Sequence, residues 1–169
     1  PSVEQLFHRY YAASMGIRVI DTHPEVEGYA DFFRRDSLTA LQHSLLRRLH
    51  KTQHADGGWA WMEGFDSDRY TTQLILKGLG ELEEMGCISI AQDDTLYTMV
   101  KQGIAYLDKH NLEAYERSRK KPKTLGSYEL HYLYTRSLFP ELPFADAKDT
   151  AYRHYTKLLL KDKAKRGTL

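Results

Sequence analysis

Two tryptophans, two adjacent glycines, a histidine and an aspartate crowd into the nine residues Gln53-His54-Ala55-Asp56-Gly57-Gly58-Trp59-Ala60-Trp61. Asp-Gly-Gly permits a tight reversal with positive φ, and a tryptophan ring is large enough to cover the ends of two helices at once. The stretch therefore reads first as a packing clamp between a helix end and a helix start, with an aromatic ligand site as the alternative. Other residue types capable of chemistry have simpler uses. His50 and His54 stand at the helical spacing that can present two imidazoles to one metal, but no glutamate sits between them and His54 falls where its helix should end. Cys87 is the single cysteine, so neither an intrachain disulfide nor a thiolate zinc site can form. Asp66-Ser67-Asp68 and Asp93-Asp94 precede apolar periodic segments, where N-capping accounts for them better than catalysis. Arg117-Ser118-Arg119-Lys120-Lys121-Pro122-Lys123 would suit phosphate contacts, yet only Tyr115 and Tyr128 are near enough to stack on bases, so a solvated loop is expected.

Six segments with apolar residues at three- and four-residue spacing must position these groups. The first spans about Val3 to Met15, with Leu6, Phe7, Tyr10, Tyr11 and Ser14 inward. The second follows Asp36 or Ser37 as N-cap and uses Leu38, Leu41, Leu45 and Leu49. The third follows Asp66-Ser67-Asp68, uses Tyr70, Leu74, Leu76, Leu79 and Leu82, and stops at Gly86. Gly78 and Gly80 inside it predict a close helix crossing, since interior glycine otherwise costs about 1 kcal/mol relative to alanine. The fourth starts near Asp93 or Asp94 and presents Leu96, Val100, Ile104 and Leu107. The fifth, near Tyr128 to Leu138, is aromatic, with Tyr128, Tyr132 and Tyr134 packing between helices and their hydroxyls at the rim. The sixth spans about Phe144 to Lys161 with Tyr152, Tyr155, Leu158 and Leu159 inward. No stretch alternates as a half-buried strand does, and short links favour antiparallel neighbours. The fold class expected is all-α, in antiparallel helix pairs.

Gln53 through Trp61, followed by Arg69-Tyr70-Thr71-Thr72-Gln73 and Gly78-Leu79-Gly80, resembles the helix-pair signature of α/α-toroid domains. Two branches share it: the terpene cyclases and prenyltransferases, and the thioester domain of the α2-macroglobulin and complement family with its bacterial members. In the thioester proteins a Cys-x-Glu-Gln motif opens a helix, and the cysteine thiol condenses with the glutamine three residues on. Here Ser2-Val3-Glu4-Gln5 occupies that pattern, and Leu6-Phe7-His8-Arg9-Tyr10-Tyr11-Ala12 is similar to the aromatic helix that follows it in bacterial members. Glu4 and Gln5 match, whereas Ser2 stands in place of the cysteine, and a serine hydroxyl without an activating base is a poor nucleophile. The resemblance therefore implies a thioester-less relative. A cyclase would need an Asp-x-Asp-Asp cluster, and a prenyltransferase Asp, Cys and His zinc ligands; neither pattern is present.

A length of 169 residues and 41% hydrophobic content fit one compact domain, read as residues 1–169 of a much larger multidomain protein. Basic and acidic side chains number 24 and 23, which gives no overall field toward nucleic acid, and no apolar run reaches the ~20 residues needed to span a bilayer. What the resemblance implies is a non-catalytic, extracytoplasmic module (periplasmic, cell-envelope or extracellular) of a protease inhibitor. It would bind no cofactor, nucleic acid or metal and insert into no membrane. Its partners would be neighbouring domains of the same chain and attacking proteases. Asp56, Gly57, Gly58, Trp59, Trp61 and Tyr70 form the expected junction or docking surface. The rival expectations are a toroid enzyme acting on an isoprenoid or polysaccharide, and a plain helical scaffold.

Overall fold

The computed structural model describes residues 2–118, 122–145 and 149–167. Among them the chain is all-α: α1 (Val3–Thr22), α2 (Arg35–Thr52), α3 (Arg69–Glu84), α4 (Asp94–Arg117), α5 (Ser127–Ser137) and α6 (Thr150–Gly167), with a 3-10 turn at Pro24–Val26. No strand occurs among the described residues, and the one β-type contact is an isolated bridge between Trp59 and Asp68.

Consecutive helices pack as pairs, α1 on α2, α3 on α4 and α5 on α6. The odd helices also touch in sequence, α1 to α3 and α3 to α5, as do the even ones, α2 to α4 and α4 to α6. The result is two layers of three helices, with the main core between them. Tyr10, Leu45, Leu49, Trp59, Leu76, Met99 and Leu107 lie there almost wholly out of solvent. The two glycines within α3 allow its close approaches: the Phe7 ring lies where a Gly78 side chain would be, and Leu138 and Phe139 crowd Gly80. Gly86 ends α3 with φ +75°, a backbone conformation that an L side chain disfavours.

Several expectations need correction. α1 continues to Thr22, so Ile17 and Ile20 join a small second core with Leu38. α2 begins at Arg35 with Arg34 in the N-cap position, which places Asp36 and Ser37 inside the first turn. The Arg35 N–H donates instead to Glu27 Oε1 at 3.0 Å, a carboxylate brought in by the preceding turn. α6 begins at Thr150, beyond Phe144. Tyr70 (65% exposed), Leu41 and Leu159 face outward, because their helices bury a narrower stripe than the periodicity suggested. Arg119, Lys120 and Lys121 of the basic run lie outside the described residues.

Candidate functional site

The start of α1 brings Ser2, Glu4 and Gln5 together. Ser2 is the N-cap, with extended φ −68° and ψ 159°. Its Oγ accepts the Gln5 backbone N–H at 3.1 Å, and its own N–H donates to Gln5 Oε1 at 3.0 Å. This reciprocal pair is a capping box, which satisfies two donors at once. Glu4 places a negative charge in the first turn, where the helix dipole favours it. The serine and glutamine are therefore within hydrogen-bonding reach of each other, each engaged with the other's backbone. The Ser-x-x-Gln spacing carries this cap in the sequence itself, a reading overshadowed by its likeness to the covalent motif.

The Asp56–Trp61 loop is tied to the same point: the Val3 N–H donates to the Trp61 carbonyl at 3.0 Å. A groove of about 390 Å³ lies beside it, with Ser2, Arg48, Lys51, His54, Met62 and Glu63 in its wall. Within the loop, Asp56 Oδ1 accepts from the Gly58 N–H at 2.9 Å and from Ser67 Oγ at 2.8 Å. Ser67 Oγ also lies 2.9 Å from His54 Nδ1. With its proton directed to Asp56, the Ser67 hydroxyl is donated to a carboxylate rather than abstracted by an imidazole, the reverse of what a serine nucleophile needs. Gly57 has φ +92°, and a side chain there would overlap the Gln102 carbonyl on α4; Gly58 lies under Tyr106 of the same helix. Gln53 Nε2 donates to the carbonyls of Gly57 at 2.9 Å and Met99 at 3.0 Å, fixing the loop between α2 and α4.

Trp59 is wholly buried. Its Nε1–H donates to the Leu49 carbonyl at 2.9 Å, an acceptor in the last turn of α2, and its backbone N–H donates to Thr72 Oγ1 at 2.8 Å on α3. The Asp68 N–H returns a bond to the Trp59 carbonyl at 3.0 Å, while the Asp68 carboxylate caps α3 through the Thr71 N–H at 2.7 Å. Trp61 differs: it is 51% exposed and meets Phe65 edge-on, with ring centroids 6.4 Å apart. The two tryptophans thus have separate surroundings. Tyr70 faces away from the core and lines a groove of about 460 Å³ between α1, α3 and α5, together with Phe7, Tyr11, Leu74, Tyr128 and His131. Gln73 Oε1 and the Tyr128 hydroxyl are buried at this inner layer and find no hydrogen-bond partner among the described residues.

Sequence reasoning missed a buried polar centre between α4 and α5. Asp108 and Arg136 are 5% and 3% exposed, with Arg136 Nε 3.2 Å from Asp108 Oδ1. The Tyr132 hydroxyl donates to the same oxygen at 2.7 Å, so it lies inside rather than at a rim. Arg136 donates onward to the carbonyls of Phe139 at 2.7 Å and Leu142 at 2.6 Å, and its guanidinium stacks 4.0 Å from the Phe144 ring centre. This one cation fixes the turn that leaves α5. Desolvation outweighs Arg136 and the Tyr132 bond and raises Asp108 to about 6. The available signal was register: Asp108 and Asn111 share the stripe of Ile104, Leu107 and Tyr115.

Asp93 caps α4 through the Leu96 N–H at 3.0 Å. Cys87 is half-buried with Sγ 3.8 Å from Met15 Sδ, and burial pushes its thiol up. Among the described residues, no group of three or more His, Cys, Asp or Glu side chains is arranged to hold a metal ion, and no helix is long and apolar enough to cross a membrane.

The chain is similar to the alpha-2-macroglobulin of Thermotoga maritima, with 30% identity over 132 residues. The match covers 76% of this chain and 6% of that relative's length. No family model matches the chain, and no solved structure matches it. The similarity places the chain in distant relation to a bacterial α2-macroglobulin and is consistent with an α2-macroglobulin-like helical domain.

Proposed function

We propose that the chain is the thioester-less helical domain of a large α2-macroglobulin-like protein, and that it works by protein–protein contact rather than by catalysis. The observation that carries this reading is the start of α1, where two hydrogen bonds join Ser2 and Gln5 of the Ser-Val-Glu-Gln stretch that resembles the Cys-x-Glu-Gln motif of thioester proteins. The glutamine amide there is a capping group. The two-layer order of the helix pairs supports a further step: odd helices adjoining odd and even adjoining even is the order that an arc of an α/α toroid would have. In such a parent protein, cleavage by an attacking protease would change the shape of the whole and confine the enzyme without a covalent bond. The domain would serve as a rigid, shape-transmitting part, extracytoplasmic like the proteases it meets.

The test uses the full-length parent protein, incubated with a panel of secreted endopeptidases. The reading predicts that a trapped protease still cleaves a small chromogenic peptide, is shielded from a large protein substrate, and is released intact by denaturant. A conjugate that survives denaturant would overturn the thioester-less mode. Unshielded activity with every protease that cleaves the parent would overturn the trap.

A further inference from the structure

The nearly even charge balance hides a strong segregation. Residues 116–123 and 153–166 contain eleven of the 24 basic side chains and only two of the 23 acidic ones, so the rest of the chain is net acidic. Among the described residues, the fold brings Pro122 and Lys123 of the first stretch against the second at one pole. α6 packs on α4 and α5, His154 Nε2 lies 2.8 Å from the Pro122 carbonyl, and the His154 ring stands 5.1 Å from that of Tyr115 near the end of α4. Lys123 thereby shares a groove of about 230 Å³ with Lys161, Lys165 and Arg166. Asp162, the one acid in that groove's wall among the described residues, is paired with Arg166 at 3.3 Å, so cations outnumber acids there. From Leu159 to Gly167 every residue of α6 is exposed, and Leu160 is 61% exposed. Leu160 and Ala164 are one helical turn apart, and Lys157, Lys161 and Lys163 lie three or four positions from one or both as neighbours on that surface.

We propose that this pole docks peripherally on a bilayer carrying anionic phospholipid headgroups. The lysines of α6, with Lys123, meet the phosphates, and Leu160 enters the headgroup layer without crossing it. An exposed leucine flanked by lysines suits a lipid interface better than a soluble polyanion. Nucleic acid would call for aromatic rings to stack on bases, and residues 156–167 contain none. The attraction is local, within a Debye length of about 8 Å at physiological salt, so the acidic remainder of the molecule does not cancel it.

The test is co-sedimentation of the 169-residue chain with vesicles of phosphatidylcholine alone or mixed with phosphatidylglycerol, at low and physiological salt. Circular dichroism checks that each variant is folded. Binding is expected to the mixed vesicles only and to weaken with salt. Near an anionic surface each basic residue contributes about fivefold, so K161E/K165E should lower partitioning by at least about twentyfold. R9E/K101E carries the same change of net charge away from the pole and should stay within about twofold of the wild type. L160S should weaken vesicle binding and leave binding to soluble polyphosphate unchanged. The proposal is overturned by equal binding to neutral vesicles, by no binding to mixed vesicles at low salt, or by equal losses in the two double variants. It is also overturned if L160S leaves vesicle binding intact while polyphosphate competes fully, which would make the pole a soluble-polyanion site.

Discussion

Replacing Trp59 by phenylalanine separates the buried indole's hydrogen bond and bulk from everything else in its loop. The indole N–H donates to the Leu49 carbonyl at 2.9 Å, and that carbonyl keeps a second, longer bond from the Gln53 N–H at 3.2 Å. Its loss therefore costs about 1 kcal/mol rather than the larger penalty of an orphaned buried acceptor. The smaller ring leaves a gap in a site with no exposed surface, which adds about 1–2 kcal/mol. The sum, about 2–3 kcal/mol, corresponds to a fall in Tm of about 5–10 °C for a domain of this size. Trp61→Phe is the control: that side chain is 51% exposed, so the change should cost less than about 0.5 kcal/mol. Urea unfolding followed by far-ultraviolet circular dichroism measures both, and an unchanged m-value would confirm that stability alone has moved. Equal costs for the two variants would refute the assignment of the clamp to Trp59.

Gly57→Ala should cost more than about 3 kcal/mol, because the new methyl meets a backbone carbonyl on α4 in addition to the strain of a positive φ; Gly64→Ala, with φ +87° and open space around it, should cost only about 1 kcal/mol. Parallel urea titrations distinguish the two, and similar losses would show that the Gln102 contact is unimportant. Ser2→Ala removes the side-chain half of the capping box and should cost about 1 kcal/mol, with Ser2→Asp recovering most of it; faster hydrogen exchange at the Gln5 amide is the local readout. Asp108 binds its proton more tightly in the folded chain, at about 6 against an ordinary 3.8. Its contribution is thus fully present below the ordinary value and is lost as pH rises through about 6, a change of at most about 3 kcal/mol. Asp108→Asn should abolish that part of the difference in stability between pH 4 and pH 7.5, and an unchanged pH profile would show that Asp108 is not its source.

The sequence spoke clearly where structure depends on neighbours along the chain. Asp68 and Asp93 cap the helices that follow them, since an N-cap needs only the next three residues. Gly86 stops α3 for an equally local reason. The start of α2 was misread because its cap comes from Glu27, eight residues upstream and placed by the intervening turn. Periodicity located α3 and α6 but not the width of their buried faces, so Tyr70 and Leu159 were placed on the wrong side. The Asp108–Arg136 pair was harder still, because a buried charge is stable only with a partner that lies 28 residues away and meets it through the fold. At the candidate site, the local Ser2–Gln5 spacing was legible. The bond from Val3 to Trp61, which joins the start of α1 to the aromatic loop, depended on tertiary structure.

Ser2 and Gln5 cap α1 without an acyl bond between them. Intact-mass measurement of the native protein, before and after exposure to methylamine, tests it most directly. The expected result is a mass equal to that of the unmodified sequence and no change on treatment. A native mass lower by one ammonia, followed by methylamine incorporation at Gln5, would contradict it.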